Sequence, residues 1–275
     1  MSPPVRTSLT RVALIGVTGR MGQALLRAAP AFPQLLITGA VASPDSLALG
    51  RDVGELIGGG RANLAVTCDL AGALAQADVA LDFSTAAATA ATLRACRAAR
   101  KPLLLGTTGQ AEDLGAALEE AAREIALLVA ANTSVGVTLL LELTRRAAAA
   151  LPASYDIDVL ELHHRGKRDG LSGTALALGR AAAEARGMSP SAATSRPAGG
   201  LRGDGEIGFA AVRAGDLVGE HTVLFCGVGE QLSLTHRATD RAIFARGALS
   251  AALWLASRPP GRYGMSEFLG FKTVT

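Results

Sequence analysis

The chain has 275 residues, of which 49% are hydrophobic and 19% charged. This length suits about two domains, and the composition supplies packed cores and excludes general disorder. The 27 basic and 24 acidic side chains leave a net charge of +3, and the scattered arginines form no basic stripe, so we expect no nucleic-acid partner.

The cysteines and the apolar runs indicate the compartment. Cys68, Cys96 and Cys226 are too few and too widely spaced for a disulfide framework or a cysteine metal cluster. No run of about 18 uncharged apolar residues occurs, and the first ten residues hold two prolines and no apolar core. We therefore expect a soluble cytoplasmic protein with no membrane segment.

The first part of the chain, residues 11–132, alternates short β-rich runs with alanine-rich runs of helical length. This pattern predicts an α/β fold with a Rossmann-type parallel sheet that helices cover on both faces. The predicted strands are 12–17, 35–42, 79–83, 103–106 and 125–131, and the predicted helices are 21–29, 86–100 and 112–124.

A second domain is expected after Asn132, because the order of elements changes there. We predict helices at 137–150 and 174–185 and strands at 157–163, 207–212, 221–225 and 231–235, which together make a mixed or antiparallel sheet. Residues 188–205 are typical of an exposed loop. A last helix, 241–256, could pack on either domain.

A glycine-rich turn follows the first predicted strand, with the sequence Gly16-Val17-Thr18-Gly19-Arg20-Met21-Gly22. Such glycines let the backbone approach a pyrophosphate at a helix N-terminus. The spacing is a variant of G-x-G-x-x-G, and a plain strand-to-helix turn without a ligand is the alternative. Arg20 could neutralise phosphate or be an ordinary solvated arginine.

The residues after the second predicted strand leave the choice of nucleotide open. An acid that binds the ribose 2′-hydroxyl is usual there, yet Asp45 lies two or three residues late. Two further loops, Asp82-Phe83-Ser84 and Gly106-Thr107-Thr108-Gly109, fall at the carboxyl edge of the sheet. Ligands bind at that edge, although both loops could also be simple turns.

The histidine-rich stretch from Glu161 to Thr174 carries the strongest chemical signal. His163, His164 and Lys167 can converge on one pocket and supply proton donors and positive charge for an anionic substrate. Alternatively, adjacent histidines on a strand point to opposite faces, so one could be structural, and Lys167 could be solvated.

The same stretch opens a helix and contains candidate metal ligands. The start of the helix at Ser172-Gly173-Thr174 offers amides to a carboxylate, although Ser172 or Thr174 could be only a helix cap. We expect no metal centre, because His163 and His164 lack a third ligand at suitable spacing although Glu161 is near.

These segments, taken in order, resemble the dihydrodipicolinate reductase family over nearly the whole chain. The matching segments are 16–22, 82–84, 106–109, 130–136, 163–167, 172–174, 207–209, 212–216, 218–222, 235–236 and 244–248. The chain departs from the family pattern at Gly170-Leu171, where members commonly carry Ala-Pro, and at Thr133, where they commonly carry an aromatic residue.

The resemblance implies a nicotinamide-binding domain formed by residues 1–132 and 241–275, and a domain at 133–240 that binds substrate and forms a homotetramer. It implies NADH or NADPH as cofactor. By this likeness His163 is a proton donor or acceptor and Lys167 a proton donor, while His164, Ser172, Gly173 and Thr174 hold a substrate carboxylate. The residues expected to line the dinucleotide are Gly16, Val17, Thr18, Gly19, Arg20, Met21, Ser43, Phe83, Gly106, Thr107, Thr108, Ala130, Ala131, Asn132 and Thr133.

The implied activity is NAD(P)H-dependent reduction of the small dicarboxylate 4-hydroxy-tetrahydrodipicolinate, via dihydrodipicolinate, to tetrahydrodipicolinate in lysine and diaminopimelate biosynthesis. Two alternatives stay open: a nucleotide-sensing regulatory protein without catalysis, and another two-domain amino-acid or sugar dehydrogenase.

Overall fold

The structure, a computed structural model, describes residues 9–107, 114–168, 170–189, 202–203 and 205–271. The chain divides into two compact units, one formed by Met1–Ser134 with Ala242–Thr275 and the other by Val135–Arg241. In chain order the strands are β1 (Thr10–Ile15), β2 (Leu35–Val41), β3 (Val79–Asp82), β4 (Leu103–Leu105), β5 (Ala126–Val129), β6 (Asp156–His163), β7 (Ile207–Arg213), β8 (Gly219–Gly227), β9 (Glu230–Ala238) and β10 (Gly261–Tyr263). The helices are α1 (Arg20–Ala28), α2 (Val53–Leu56), α3 (Leu70–Ala75), α4 (Ala86–Ala98), α5 (Leu114–Ala122), α6 (Val135–Ala150), α7 (Gly173–Ala185), α8 (Ala242–Leu255) and α9 (Met265–Phe268).

The first unit is built on a six-stranded sheet in the order β10-β5-β4-β3-β1-β2, with every pair parallel. All residues of β3 and β4 are buried, as expected where helices cover both faces of a parallel sheet. Alternate residues of β3 enter different cores: Leu81 packs in the core that contains α1 and α8, and Ala80 packs in the core that contains α3, α4 and α5.

The middle of this sheet contains a topological switch point. β1 lies between β2 and β3, so the connections on its two sides diverge and leave a crevice beyond the carboxyl ends of the strands. Beside β2, Val41 forms an isolated parallel bridge with Thr67. In the Rossmann strand order a further strand pairs with the second strand at this position. Here the single bridge takes its place.

The second unit is built on a four-stranded mixed sheet in the order β7-β6-β8-β9. β6 pairs parallel with β7 and antiparallel with β8, and β8 pairs antiparallel with β9. Alternate residues of β6 and β8, such as Val159 and Phe225, are fully buried against α6 and α7. The opposite face of the sheet, which we call the outer face, carries half-buried residues such as Leu160 and Leu224.

The predicted fold class is confirmed, and the predicted strands and helices occur with small shifts at their ends. The first strand ends at Ile15 rather than Val17, because Gly16 already turns with φ +81°. The predicted strand 221–225 extends over Gly219–Gly227. The last helix, α8, packs against α1, β3 and β4 and therefore belongs to the first unit.

Four short elements had not been predicted: α2, α3, α9 and β10. Most of the predicted loop 188–205 and the start of the predicted helix 112–124 lie outside the described residues. Across the described ranges, no helix combines the length and the hydropathy needed to cross a membrane.

Candidate functional site

The glycine-rich turn lies at the switch point, between the end of β1 and the start of α1. The amides of Gly16 and Val17 both donate to the carbonyl oxygen of Val41, at 2.9 and 3.1 Å. A Cβ on Gly16 would lie 2.6 Å from the carbonyl oxygen of Phe83, and one on Gly22 would lie 2.3 Å from that of Gly16. The turn is therefore too tight for side chains at these two positions.

The loops after β3 and β4 meet this turn. Asp82 is fully buried, and its Oδ1 accepts a hydrogen bond of 2.8 Å from the Ser84 amide. The ring of Phe83 lies over Gly106, where a Cβ would come within 2.0 Å of it. Oδ2 of Asp82 and Oγ of Ser84 are buried without a hydrogen-bond partner among the described residues. The contacts place the glycine-rich turn and the loops after β3 and β4 at one edge of the sheet.

The other predicted dinucleotide residues follow neighbouring strands of the same sheet. Ser43 is exposed just after β2, and residues 130–133 follow β5. The Thr133 hydroxyl donates a 2.7 Å hydrogen bond to the carbonyl oxygen of Phe244 in α8, so its side chain fastens this segment to α8. Thr108 lies outside the described residues.

The second unit contains a buried cluster of ionisable side chains on the inner face of its sheet. His163 ends β6 and is 9% exposed, while Glu161, two residues earlier on the same face, is fully buried. Glu161 is the cross-strand partner of His221 on β8. The His163 and His221 rings pack edge to face with centroids 5.1 Å apart. His163 Nδ1 and His221 Nε2 lie 3.5 and 3.7 Å from the Glu161 Oε2.

Hydrogen bonds tie this cluster to the start of α7. The Ser172 amide donates to both Glu161 carboxylate oxygens, at 3.2 and 3.1 Å. The Ser172 hydroxyl is 2.9 Å from Nε2 of His221 and accepts from the amide of Ala175 at 3.1 Å, so it caps the helix. Arg213 donates to Glu161 at 2.7 Å and also to the carbonyl oxygen of Gly170.

Burial and charge shift the protonation of these groups. Burial lowers the pKa of His221 to about 4, and the neighbouring His163 adds to the effect. Burial also lowers the pKa of His163, and the positive charges of Lys167, Arg213 and His164 lower it further. The negative charge of Glu161 acts in the opposite direction but does not cancel the effect. Burial raises the pKa of Glu161, but hydrogen bonds from Ser172 and Arg213 outweigh it, so that pKa is lowered overall.

The structure thus brings together His163, Ser172 and the first turn of α7, with Gly173 and Thr174 as its first residues. His164 and Lys167 follow His163 in the turn after β6, where the Lys167 amide donates to the carbonyl oxygen of His164 at 3.1 Å. Sequence reasoning noticed Glu161 only as a possible metal ligand, and it missed the contributions of His221 and Arg213. The two-residue spacing of Glu161 and His163 on one strand was the available signal.

One argument against a metal centre is wrong, since a third candidate ligand does exist. Donor atoms of Glu161, His163 and His221 lie within 4.8 Å of one another. A cation would have to compete with the Arg213 guanidinium and the Ser172 amide, which already bond the Glu161 carboxylate. In the described structure this carboxylate is therefore engaged by hydrogen bonds and an ion pair.

The protein has two α/β units. The first has a Rossmann-type sheet with a glycine turn at its switch point, and the second has a mixed sheet with a buried imidazole–carboxylate cluster. These features define a protein of the dinucleotide-fold class. Comparison with family models matches residues 10–133 to "Dihydrodipicolinate reductase, N-terminus" and residues 136–269 to "Dihydrodipicolinate reductase, C-terminus". The chain belongs to the dihydrodipicolinate reductase family, as the resemblance had indicated.

Individual relatives match along almost their whole length. The 4-hydroxy-tetrahydrodipicolinate reductase of Alkalilimnicola ehrlichii is 48% identical over 264 residues, covering 95% of this chain and 99% of the relative. That of Anaeromyxobacter dehalogenans strain 2CP-1 is 46% identical over 267 residues, covering 96% and 99%. A dipicolinate-bound dihydrodipicolinate reductase from Paenisporosarcina sp. TG-14 has the same fold, with a TM-score of 0.77 at 23% identity, covering 94% of this chain and 98% of that one.

The low pKa of His221 predicts an acid-dependent loss of stability. A histidine whose folded-state pKa lies below its ordinary 6.5 contributes stability that is fully present above pH 6.5 and is lost as the pH falls toward 4. We expect His221→Gln, which cannot be protonated, to lose less unfolding free energy than the wild type between about pH 7 and about pH 4.5, by on the order of 2 kcal/mol. Urea unfolding at both pH values measures this difference, and equal losses in the two proteins would contradict it.

Proposed function

We propose that this protein catalyses the NAD(P)H-dependent reduction of 4-hydroxy-tetrahydrodipicolinate, via dihydrodipicolinate, to tetrahydrodipicolinate in lysine and diaminopimelate biosynthesis. The observation that carries the proposal is a pair of sites in one chain, the tight glycine turn of the first unit and the His163 cluster of the second. The relatives that match along the whole chain are named for this reaction. The proposal assigns the nucleotide to the first unit, and substrate and proton transfer to the second.

The first unit fits a dinucleotide. Its glycine turn leads directly into α1, whose N-cap residue Gly19 has no side-chain cap and whose first turn contains no acid. The amides and the dipole at this helix start therefore suit a pyrophosphate, and exposed Arg20 adds positive charge. Residues after the neighbouring strand ends would hold the rest of the cofactor: Ser43, Phe83, Gly106, Thr107, Thr108 and residues 130–133. When bound, the reduced nicotinamide supplies a hydride.

Both NADH and NADPH are compatible with the end of β2. The strand ends at Val41, and Ala42 and Ser43 follow it. The first acid after them, Asp45, is exposed, and its amide contacts the Ser43 hydroxyl at 3.4 Å. With no acid directly after the strand to select the 2′-hydroxyl or to repel a 2′-phosphate, we propose that the enzyme accepts either nucleotide.

The start of α7 and the residues after β6 suit a dicarboxylate substrate. Helix-start amides favour anions, and we propose that the Gly173 and Thr174 amides hold one carboxylate, with His164 as a further contact. The Ser172 amide and hydroxyl already bond Glu161, His221 and Ala175. Ser172 therefore contributes by shaping the turn.

His163 and Lys167 are the proposed proton-transfer groups. His163 is nearly buried at the edge of the cluster, and its lowered pKa leaves the imidazole mainly uncharged at neutral pH. A neutral imidazole accepts a proton and, once protonated, can pass it on. Lys167 lies in the turn after β6, four residues beyond His163, and its side-chain ammonium is the second proposed proton donor to the substrate ring.

We propose a homotetramer that buries the outer face of the second unit. Half-buried Leu160, Leu162 and Leu224 lie on this face, and Val212 beside them is 47% exposed. Partly exposed apolar side chains grouped in this way favour association with another copy.

Replacing the proton-transfer groups should lower turnover. We expect His163→Gln and Lys167→Ala each to reduce kcat by about 10²- to 10⁴-fold without weakening nucleotide binding. Absorbance of NADH or NADPH is followed while an aldolase-type synthase generates the substrate in the cuvette. Arg168→Ala, one exposed residue further along the chain, is the matched control and should keep wild-type turnover. Near-normal rates in both site variants would exclude these roles.

Adding one methyl group to the glycine turn should impair nucleotide binding. In Gly22→Ala the new Cβ would collide with the backbone of Gly16 and Val17, so we expect Kd for NADPH to rise at least about tenfold. Fluorescence titration measures the binding. Gly115→Ala in α5 is the control, because a Cβ there meets nothing within 4 Å, and its Kd should be unchanged. Equal affinity in the two variants would argue against this site.

Assembly through the outer face is tested by Val212→Glu. The wild type should sediment at four times the chain mass. A charge placed beside Leu160 and Leu162 should dissociate the assembly, because burying it without a partner is costly. Analytical ultracentrifugation distinguishes the states, and a wild-type monomer or an undisturbed variant tetramer would refute the proposed interface.

A further inference from the structure

The carboxylate of Glu161 joins three segments of the second unit. It is fully buried on β6, it receives the Ser172 amide from the start of α7, and it receives the Arg213 guanidinium from β7. A buried carboxylate costs free energy unless such partners satisfy it. Hydrogen bonds to Glu161 therefore hold β6, β7 and the start of α7 together.

We infer that Glu161 is a positioning residue, which holds the His163 imidazole and the first turn of α7 in fixed places relative to each other. This inference rests on the proposed function for its meaning in catalysis. Glu161 itself does not touch the substrate; it acts through His163 on the proton-transfer side and through Ser172 on the carboxylate-binding side.

On the proton-transfer side, Glu161 orients the ring of His163. Nδ1 of His163 is buried without a hydrogen-bond partner among the described residues, and Oε2 of Glu161 lies 3.5 Å from it. That distance is long for a hydrogen bond, so the interaction is mainly charge attraction, which favours a proton on Nδ1. Nε2 is then the nitrogen that exchanges protons with a reactant. On that side of the ring the backbone of Gly219 approaches closely, since a Cβ there would lie 3.0 Å from Nε2.

On the carboxylate-binding side, hydrogen bonds to both the amide and the hydroxyl fix Ser172. Its amide is bonded by Glu161, and its hydroxyl lies between Nε2 of His221 and the Ala175 amide. His221 is uncharged at neutral pH, and its Nε2 can donate or accept the hydrogen bond with the Ser172 hydroxyl, depending on the tautomer. The turn that presents Gly173 and Thr174 is thereby anchored to the same carboxylate as His163.

Several groups among the described residues act on the charge of His163. These groups are Glu161 on its own strand, Arg213 on β7, His221 on β8, and His164 and Lys167 in the loop after β6. Glu161 is the acid among them, and it alone opposes the effect of burial. Removing its charge must therefore lower the pKa of His163.

The test compares Glu161→Gln with the wild type by NMR titration of the enzyme labelled with ¹⁵N-histidine. The chain has only 4 histidines, so single His→Gln variants assign every signal. We expect the His163 midpoint to fall by on the order of one pH unit in the variant. In kinetics, KM for the dicarboxylate should rise and kcat should fall, while KM for the nucleotide should stay constant. Glu161→Asp retains the charge and should restore most of the His163 midpoint, while KM for the dicarboxylate stays raised because the shorter side chain loses Ser172.

Glu142→Gln is the matched control. Glu142 is a buried carboxylate in the same unit, 8% exposed and paired with Arg145 and Arg146 on α6. Its replacement should leave the His163 titration and both KM values unchanged.

The outcomes separate this inference from the proposed function. An unshifted His163 midpoint in folded Glu161→Gln would overturn the positioning role. Should that variant not fold, Glu161→Asp decides: a KM for the dicarboxylate equal to that of the wild type would overturn it. If the wild type fails to reduce the dicarboxylate while the midpoint still shifts, the proposed function falls and the coupling of Glu161 to His163 stands.

Discussion

The organisation of the second unit depends on one buried negative charge. A carboxylate with no solvent exposure is tolerated only if its oxygens are bonded, and Glu161 satisfies this through an amide of the α7 start and the guanidinium of Arg213. These partners meet only if the strand pairing places Arg213 beside Glu161 and the loop after β6 brings Ser172 to the same carboxylate. The requirement explains why a polar cluster can sit beside the apolar core formed by residues such as Val159 and Phe225.

The cluster also shows how a single environment gives similar side chains different properties. His163 and His221 touch each other and face the same carboxylate, yet His221 is the more deeply enclosed and the more strongly held in its uncharged form. His221 is thereby suited to a lasting hydrogen bond with Ser172. His163, at the end of its strand, keeps more access to solvent and a smaller resistance to protonation. Location, rather than residue type, makes one imidazole harder to protonate than the other.

Local patterns were sufficient for the architecture of the first unit and for part of each site. Alternating apolar runs predicted the parallel sheet, and the glycine spacing predicted the turn after β1, because both signals depend on neighbouring residues. β10 was not predicted, because a strand of three residues shows no periodicity in the sequence. Its place in the sheet is set by pairing with β5. The place of His221 in the polar cluster was not predicted for a related reason. Its position opposite Glu161 results from antiparallel strand pairing. His221 lies on β8, a different strand from Glu161 and His163, so no spacing along the chain could indicate that the three residues meet.

The first unit is discontinuous along the chain, and this affects the order in which it can be completed. Helix α8 contributes Ala245, Ala248 and Leu249 to the same core as Leu25 of α1, yet it is synthesised only after the whole of Val135–Arg241. While the ribosome makes that intervening segment, the sheet surface that α8 will cover has no partner from its own chain. The second unit can fold as soon as it emerges. The nascent chain must therefore keep an unfinished apolar surface from aggregating until α8 has been made.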